Sequence, residues 1–158
     1  MHMHRLERIW LMIGSGALVV FLLVIGVNAF AMGHTPPSDR DILDPTKVDL
    51  TEPFDKPGLK KIGENEYEAV LVAQAFTFQS NGDLKIPVGA KVHFKVTSKD
   101  VVHGFQIPKT NVNMMITPGH VNTITHTFDE AGQFLIICNE YCGVGHQAMG
   151  VPLEVTES

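Results

Sequence analysis

Cysteine, tryptophan and cationic side chains are all scarce in this chain. Two cysteines occur in 158 residues, so at most one disulfide can form. Twelve Lys and Arg stand against seventeen Asp and Glu, for a net charge of −5, which argues against a nucleic-acid partner. Beyond residue 32 the imbalance persists, with ten cations and sixteen carboxylates, a balance suited to steering a basic partner or simply to solvating the surface. The single tryptophan, Trp10, stands near the N-terminus. Long apolar runs are also missing, with one exception.

That exception is Ile9 to Ala31, IWLMIGSGALVVFLLVIGVNAFA, which carries no charge. At about 1.5 Å rise per residue it makes a helix of roughly 34 Å, enough to cross a hydrocarbon core of about 30 Å with some tilt. A cleaved signal peptide is the rival reading, since Ala29-Phe30-Ala31 imitates a small-x-small cleavage pattern, but a signal core is only about 7–15 residues long. Residues 9–32 are therefore read as a single transmembrane helix in the plasma membrane. Arg5 and Arg8 precede it, and Asp39, Asp41 and Asp44 follow it. The positive-inside rule then places residues 1–8 in the cytoplasm and the remainder in the periplasm or outside the cell.

Residues 33–65 read as a Pro-rich linker. Pro36, Pro37, Pro45, Pro53 and Pro57 interrupt it, no apolar period runs through it, and the expectation is extended chain without ladder pairing. His34 falls in this stretch, and His2 and His4 precede the apolar run.

From residue 66 to 158 the texture changes to short strands. Lys91-Val92-His93-Phe94-Lys95-Val96-Thr97 alternates cleanly, so Val92, Phe94 and Val96 should face a core. Similar runs occur at 67–73, 103–107, 120–128, 133–138 and 151–155, separated by turn signals such as Asn81-Gly82, Pro118-Gly119 and Ala131-Gly132. About seven strands without an intervening helical period indicate an all-β sandwich or barrel.

Both cysteines fall in one segment between two of these strands, CNEYCGVGHQAM, which brings together Cys138, Glu140, Cys142, His146 and Met149. A lone disulfide would need neither His146 nor Met149, and a structural zinc site leaves Met149 unexplained. Thiolate, imidazole and thioether together favour copper. The loop offers four donors, and an upstream histidine is still needed, so the surplus points to two metal ions. Gly143, Gly145 and Gly150 would let the backbone turn tightly there.

Four histidines could complete the set. His93 alternates outward from Val92 and Phe94; His120 follows a Pro-Gly turn and His126 lies in a Thr-rich run, so all three read as solvated. His103 follows Val101-Val102 and precedes Gly104-Phe105, which holds its ring in apolar surroundings beside a residue that allows close approach. A buried histidine needs a partner or a proton-free state, and metal ligation supplies both.

The pattern C-x-E-x-C-x3-H-x2-M with a distant upstream His resembles the dinuclear CuA site in subunit II of haem-copper cytochrome c oxidases. The stretches VVHGF and PGHVNTITHTF carry the likeness further, and the single anchor is similar to the B-type branch. The resemblance implies a cupredoxin-like Greek-key β-barrel or sandwich for residues 66–158, with Cys138 and Cys142 bridging two coppers, His103 and His146 each binding one, Met149 a weak axial ligand, and the Glu140 backbone carbonyl the axial ligand of the other. Phe105, Phe134 and Ile136 are candidates for an apolar wall around the sulfurs, or else ordinary core, and the resemblance adds a magnesium ion at Glu140 as a second expectation.

The implied function is to accept electrons from cytochrome c and pass them to a haem in subunit I, where oxygen is reduced and protons are pumped. The chain would thus be part of cytochrome-c oxidase, with subunit I, cytochrome c, the lipid bilayer and a small additional membrane subunit as partners. A-type relatives receive electrons at a tryptophan, and Trp10 is in the wrong place for that. Phe76 and Phe78 are the expected substitutes, unless one or both belong to the core, and the resemblance implies transfer onward through His146. Nitrous oxide reductase carries the same copper motif, but beside a second metal domain for which this chain is too short. A membrane-anchored copper delivery or storage module remains the alternative from a different class.

Overall fold

The computed structural model describes residues 3–31 and 37–157; the expectations for His2, His34 and the start of the linker at 33–36 lie outside them. The chain divides into two compact units, Met1–Thr35 and Pro36–Ser158.

The first unit is helix α1, Arg5–Gly26, continued by a π-helical turn Val27–Ala31. It starts earlier than the uncharged run because the His4 ring caps it, Nδ1 accepting from the Leu6 N–H at 3.3 Å, and because Glu7 lies in the first turn, where the helix dipole favours a negative charge. Arg5–Ala31, with a mean hydropathy of 2.5 over its most apolar window, is long and apolar enough to cross a membrane. No residue of α1 is buried.

The second unit is a two-sheet β sandwich. Its strands are β1 (Ser38–Ile42), β2 (Gly58–Lys61), β3 (Glu66–Gln74), β4 (Thr77–Gln79), β5 (Leu84–Pro87), β6 (Lys91–Ser98), β7 (His103–Gln106), β8 (Asn113–Ile116), β9 (His120–Thr127), β10 (Gly132–Ile137) and β11 (Gly150–Thr156). One sheet runs β1-β9-β6-β3-β2, with β4 also on β3; the other runs β5-β11-β10-β7-β8. Most pairings are antiparallel, but β3 pairs β6 and β5 pairs β11 in parallel. The all-β, cupredoxin-like expectation therefore holds, with nine strands among the described residues from 66 onward instead of about seven, and two more, β1 and β2, before them.

Alternation sets the core. Val92, Phe94 and Val96 of β6 are fully buried as expected, and Phe94 sits between the rings of Phe105 (5.5 Å) and Phe128 (6.4 Å). Strand β3 is apolar on both faces. Ala69, Leu71 and Ala73 enter the main core, while Val70 and Val72 join Leu43, Val48 and Phe54 in a second cluster.

That second cluster corrects the reading of 33–65 as unpaired linker. Strand β1 pairs with β9, β2 pairs with β3, and Pro45–Leu50 forms a 3-10 turn capped by Asp44, whose carboxylate accepts from the Thr46 N–H at 3.0 Å. The prolines do not obstruct this, because Pro45 opens the turn, where its missing N–H is not required, and Pro53 and Pro57 lie between elements. Val70 and Val72 would face water without Val48 and Phe54 over them, and burying these side chains at about 25 cal/mol per Å2 of apolar area supplies the drive for the segment to fold back.

Candidate metal centre

The CNEYCGVGHQAM segment hangs between β10 and β11, and its ends are pinned together where Cys138 N–H donates to Met149 O at 3.1 Å, one step beyond the Ile137–Gly150 pair. Inside this closed lobe, His146 N–H donates to Gly143 O (3.1 Å), Ala148 N–H to Gly145 O (3.0 Å) and Met149 N–H to His146 O (3.1 Å). This 3-10 turn, His146–Ala148, swings the His146 ring and the Met149 thioether toward Cys142. Cys142 Sγ lies 3.6 Å from His146 Nδ1 and 3.7 Å from Met149 Sδ.

The two thiols are free, with 3.7 Å between their sulfurs, far from the roughly 2.05 Å of a disulfide bond. Cys138 Sγ–H reaches the backbone carbonyl of Glu140 at 3.1 Å, and His103 Nδ1 lies 3.9 Å from the same sulfur. His103 opens β7 and is fully buried. The metal-ligating atoms of His103, Cys138 and Cys142 all fall within 4.8 Å of one another.

Every residue expected as a donor is thus gathered at one end of the sandwich. Glu140 takes part through its peptide oxygen, while its side chain is exposed. Cys138, Cys142 and Met149 belong to the main apolar core together with Phe105 and Ile136, against which Phe134 packs at the margin. Burial pushes the Cys142 thiol up to about 11, and Cys138 beside it adds to the shift. Two thiols and a thioether in an apolar wall, closed off by two imidazoles and a carbonyl, form a soft donor set; it suits copper, whose binding would turn the thiols into thiolates.

One residue hydrogen-bonded to the candidate centre escaped the sequence reading. Asp100 Oδ1 accepts from His103 Nε2 at 2.8 Å and from Val101 N–H at 2.7 Å; Oδ2 accepts from Ala75 N–H. Burial alone would raise its carboxyl, but the hydrogen bonds from His103, Val101 and Ala75 outweigh this and hold it below the usual range. The missed signal was spacing: a carboxylate three residues before a buried histidine can take the ring N–H that metal binding leaves over.

The other histidines are less solvated than expected. His93 bridges Glu66 Oε1 (2.7 Å) and Thr125 Oγ1 (2.9 Å). His126 Nδ1 meets Asn111 Oδ1 at 2.5 Å and its ring packs edge-on to Phe128, and His120 is half-buried. Of the two phenylalanines expected at the surface, Phe78 is core, edge-on to Phe105 at 5.5 Å. Phe76 is 41% exposed and lies over the metal loop, its Cε1 some 3.1 Å from where a Gly143 side chain would begin. Phe78 therefore does not serve as a surface contact, because the alternation of β4 turns it inward.

A two-sheet sandwich carrying a buried cysteine, histidine and methionine cluster suited to copper, in a chain with a helix long and apolar enough to cross a membrane, sets the class of protein. The sequence model described as cytochrome c oxidase subunit II, periplasmic domain, matches residues 65–156, and the chain belongs to that family. It is 37% identical over 155 residues to a cytochrome c oxidase subunit 2 of Thermus thermophilus, covering 96% of this chain and 92% of that one. A second Thermus thermophilus cytochrome c oxidase subunit 2 is 40% identical over 127 residues, covering 79% of this chain and 93% of that one. A chain in the cryo-EM structure of a heme-copper terminal oxidase dimer superposes with a TM-score of 0.79 at 34% identity, over 96% of this chain and 100% of that one.

Proposed function

We propose that this chain is the subunit through which electrons reach a haem-copper terminal oxidase: it accepts them at a copper centre built on the Cys138–Met149 loop and hands them to haem in subunit I, where oxygen is reduced and protons are pumped. The observation that carries this reading is the closed donor set. His103, Cys138 and Cys142 converge within 4.8 Å in the apolar core, and His146, Met149 and the Glu140 carbonyl fill the remaining sides. Catalytic metal sites keep a position open for substrate; a filled one suits relay.

In the finer reading, Cys138 and Cys142 would hold two copper ions between them, His103 and His146 would each bind one, and Met149 and the Glu140 carbonyl would supply the remaining donors. Copper held in this way supplies a one-electron redox couple. The protein's part is to keep the donors in place, so that bond lengths change little between oxidation states, and to exclude water through Phe105 and Ile136. Tyr141 adds an edge contact to the His146 ring at 5.8 Å.

Phe76, Val101, Tyr141 and Val144 are exposed apolar side chains close in sequence or space to the donors, and they support a docking surface for cytochrome c. The helix would anchor the chain in the plasma membrane with residues 1–8 cytoplasmic and the copper unit outside. A magnesium ion at the exposed Glu140 carboxylate and an additional small membrane subunit are subordinate parts of the proposal.

Purification of the full chain from membranes tests it. Co-isolation with a multi-helix haem protein is expected; isolation as a lone, haem-free chain with readily exchanged copper would point to a delivery or storage module instead.

A further inference from the structure

Phe76 occupies the turn between β3 and β4 with φ of 73°, a conformation that bulky side chains avoid and glycine accepts freely. Its ring does not justify that strain by joining the core, since it stays 41% exposed. What the ring touches is the metal loop. A Cβ on Gly145 would lie 2.8 Å from Phe76 Cδ1 and Cδ2, and one on Gly143 3.1 Å from Cε1. The ring therefore lies against the backbone between Cys142 and His146, and residues without side chains let it come so near. The same turn is tied to the other half of the donor set, because Ala75 N–H donates to Asp100, whose second oxygen accepts from His103 Nε2. Two residues further on, the buried Phe78 roots β4 in the core.

We propose that Phe76 is a positioning residue. Its ring clamps Gly143–Gly145 and so holds Cys142 and His146 in register with Cys138 and His103 before any metal arrives. The β3–β4 turn, which supplies no ligand, then governs how pre-organised the ligand loop is, and a loop held in this way opens less often to solvent and releases metal more slowly. The proposal rests on the copper-centre reading, but its first test needs no metal.

The full-length chain in detergent is compared as wild type, Phe76→Gly, Phe76→Tyr and Gly145→Ala. Phe76→Gly takes the turn's φ without strain and removes only the ring, so the fold is expected to persist. In the reduced, copper-free chain, alkylation of Cys142 followed by mass spectrometry should speed up by about tenfold in Phe76→Gly, as expected of local opening, and stay at the wild-type rate in Phe76→Tyr. Gly145→Ala, which pushes the ring away, should resemble Phe76→Gly. After copper loading, Phe76→Gly should show altered copper hyperfine splitting and faster loss of copper to a chelator, both restored in Phe76→Tyr. Phe76→Leu, which keeps part of the bulk, covers failure of the glycine variant to fold and should fall between. Unchanged alkylation and unchanged hyperfine splitting in Phe76→Gly would overturn the proposal. A wild type that takes up no copper would defeat the copper reading while leaving the alkylation result to decide on the clamp.

Discussion

Asp100 Oδ1 and His103 Nε2 lie 2.8 Å apart, while the opposite ring nitrogen of His103 faces the Cys138 sulfur at 3.9 Å. The carboxylate holds the proton on Nε2 and leaves Nδ1 free to ligate, which is how partners behind a ligand fix tautomer and ring angle. Replacing Asp100 with alanine removes that control and frees the β3–β4 turn, which the same carboxylate holds through Ala75 N–H. The expected result is copper affinity lower by about 10–100-fold, measured by competition with a chelator, with the β-sheet circular dichroism retained.

Gly104 stands beside His103 because β7 runs hard against the start of the metal loop. A Cβ there would lie 2.7 Å from Glu140 N and 2.8 Å from Asn139 N, and backbone cannot step aside as a flexible side chain does. Gly104→Ala should cost about 1–3 kcal/mol by overpacking, read as a lower midpoint in denaturant unfolding of the copper-free chain.

Thiol chemistry gives a third prediction. With burial and Cys138 pushing the Cys142 thiol up to about 11, alkylation of the folded, copper-free chain should remain slow through neutral pH and rise only as pH approaches that value, whereas the unfolded chain should react near the ordinary thiol range of about 8.5. A folded chain that reacts as fast as the unfolded one at about pH 8 would contradict the burial argument.

The fourth concerns the pairing of β6 with β3 and β9. His93 links β6 to Glu66 of β3 and Thr125 of β9, and its hydrogen bond, with Lys91 nearby, holds the Glu66 carboxyl below its ordinary value of 4.5. A carboxyl lowered on folding stabilises the native state at pH above its unfolded value, and the contribution disappears as pH falls through the folded one. Thermal stability of wild type should therefore drop in this acid range, and Glu66→Gln should flatten the drop there.

Most of the centre was legible in the sequence because its donors are chemically distinctive and four of them sit in one short loop. His103 could be singled out from its apolar neighbours and Gly104, and both properties correspond to real contacts. Asp100 was not, since a carboxylate in a turn looks solvated until its two oxygens are seen meeting His103 and Ala75. The 37–65 stretch was misjudged because proline count says nothing about proline position. Pro45 opens a turn, and Val48 and Phe54 find a cover role over Val70 and Val72 that depends on residues far along the chain. Phe76 and Phe78 look equivalent in AFTF, and only the reversal of direction between β3 and β4 separates surface from core.

The shared centre itself is tested most directly by counting copper and recording the electron paramagnetic resonance of the natively prepared chain, beside Cys138→Ser and Cys142→Ser. Two coppers per chain, with the hyperfine pattern of one unpaired electron spread equally over both nuclei and lost in either serine variant, is the predicted result. A single copper, a disulfide between Cys138 and Cys142, or a shared-electron pattern that survives loss of either sulfur would contradict it.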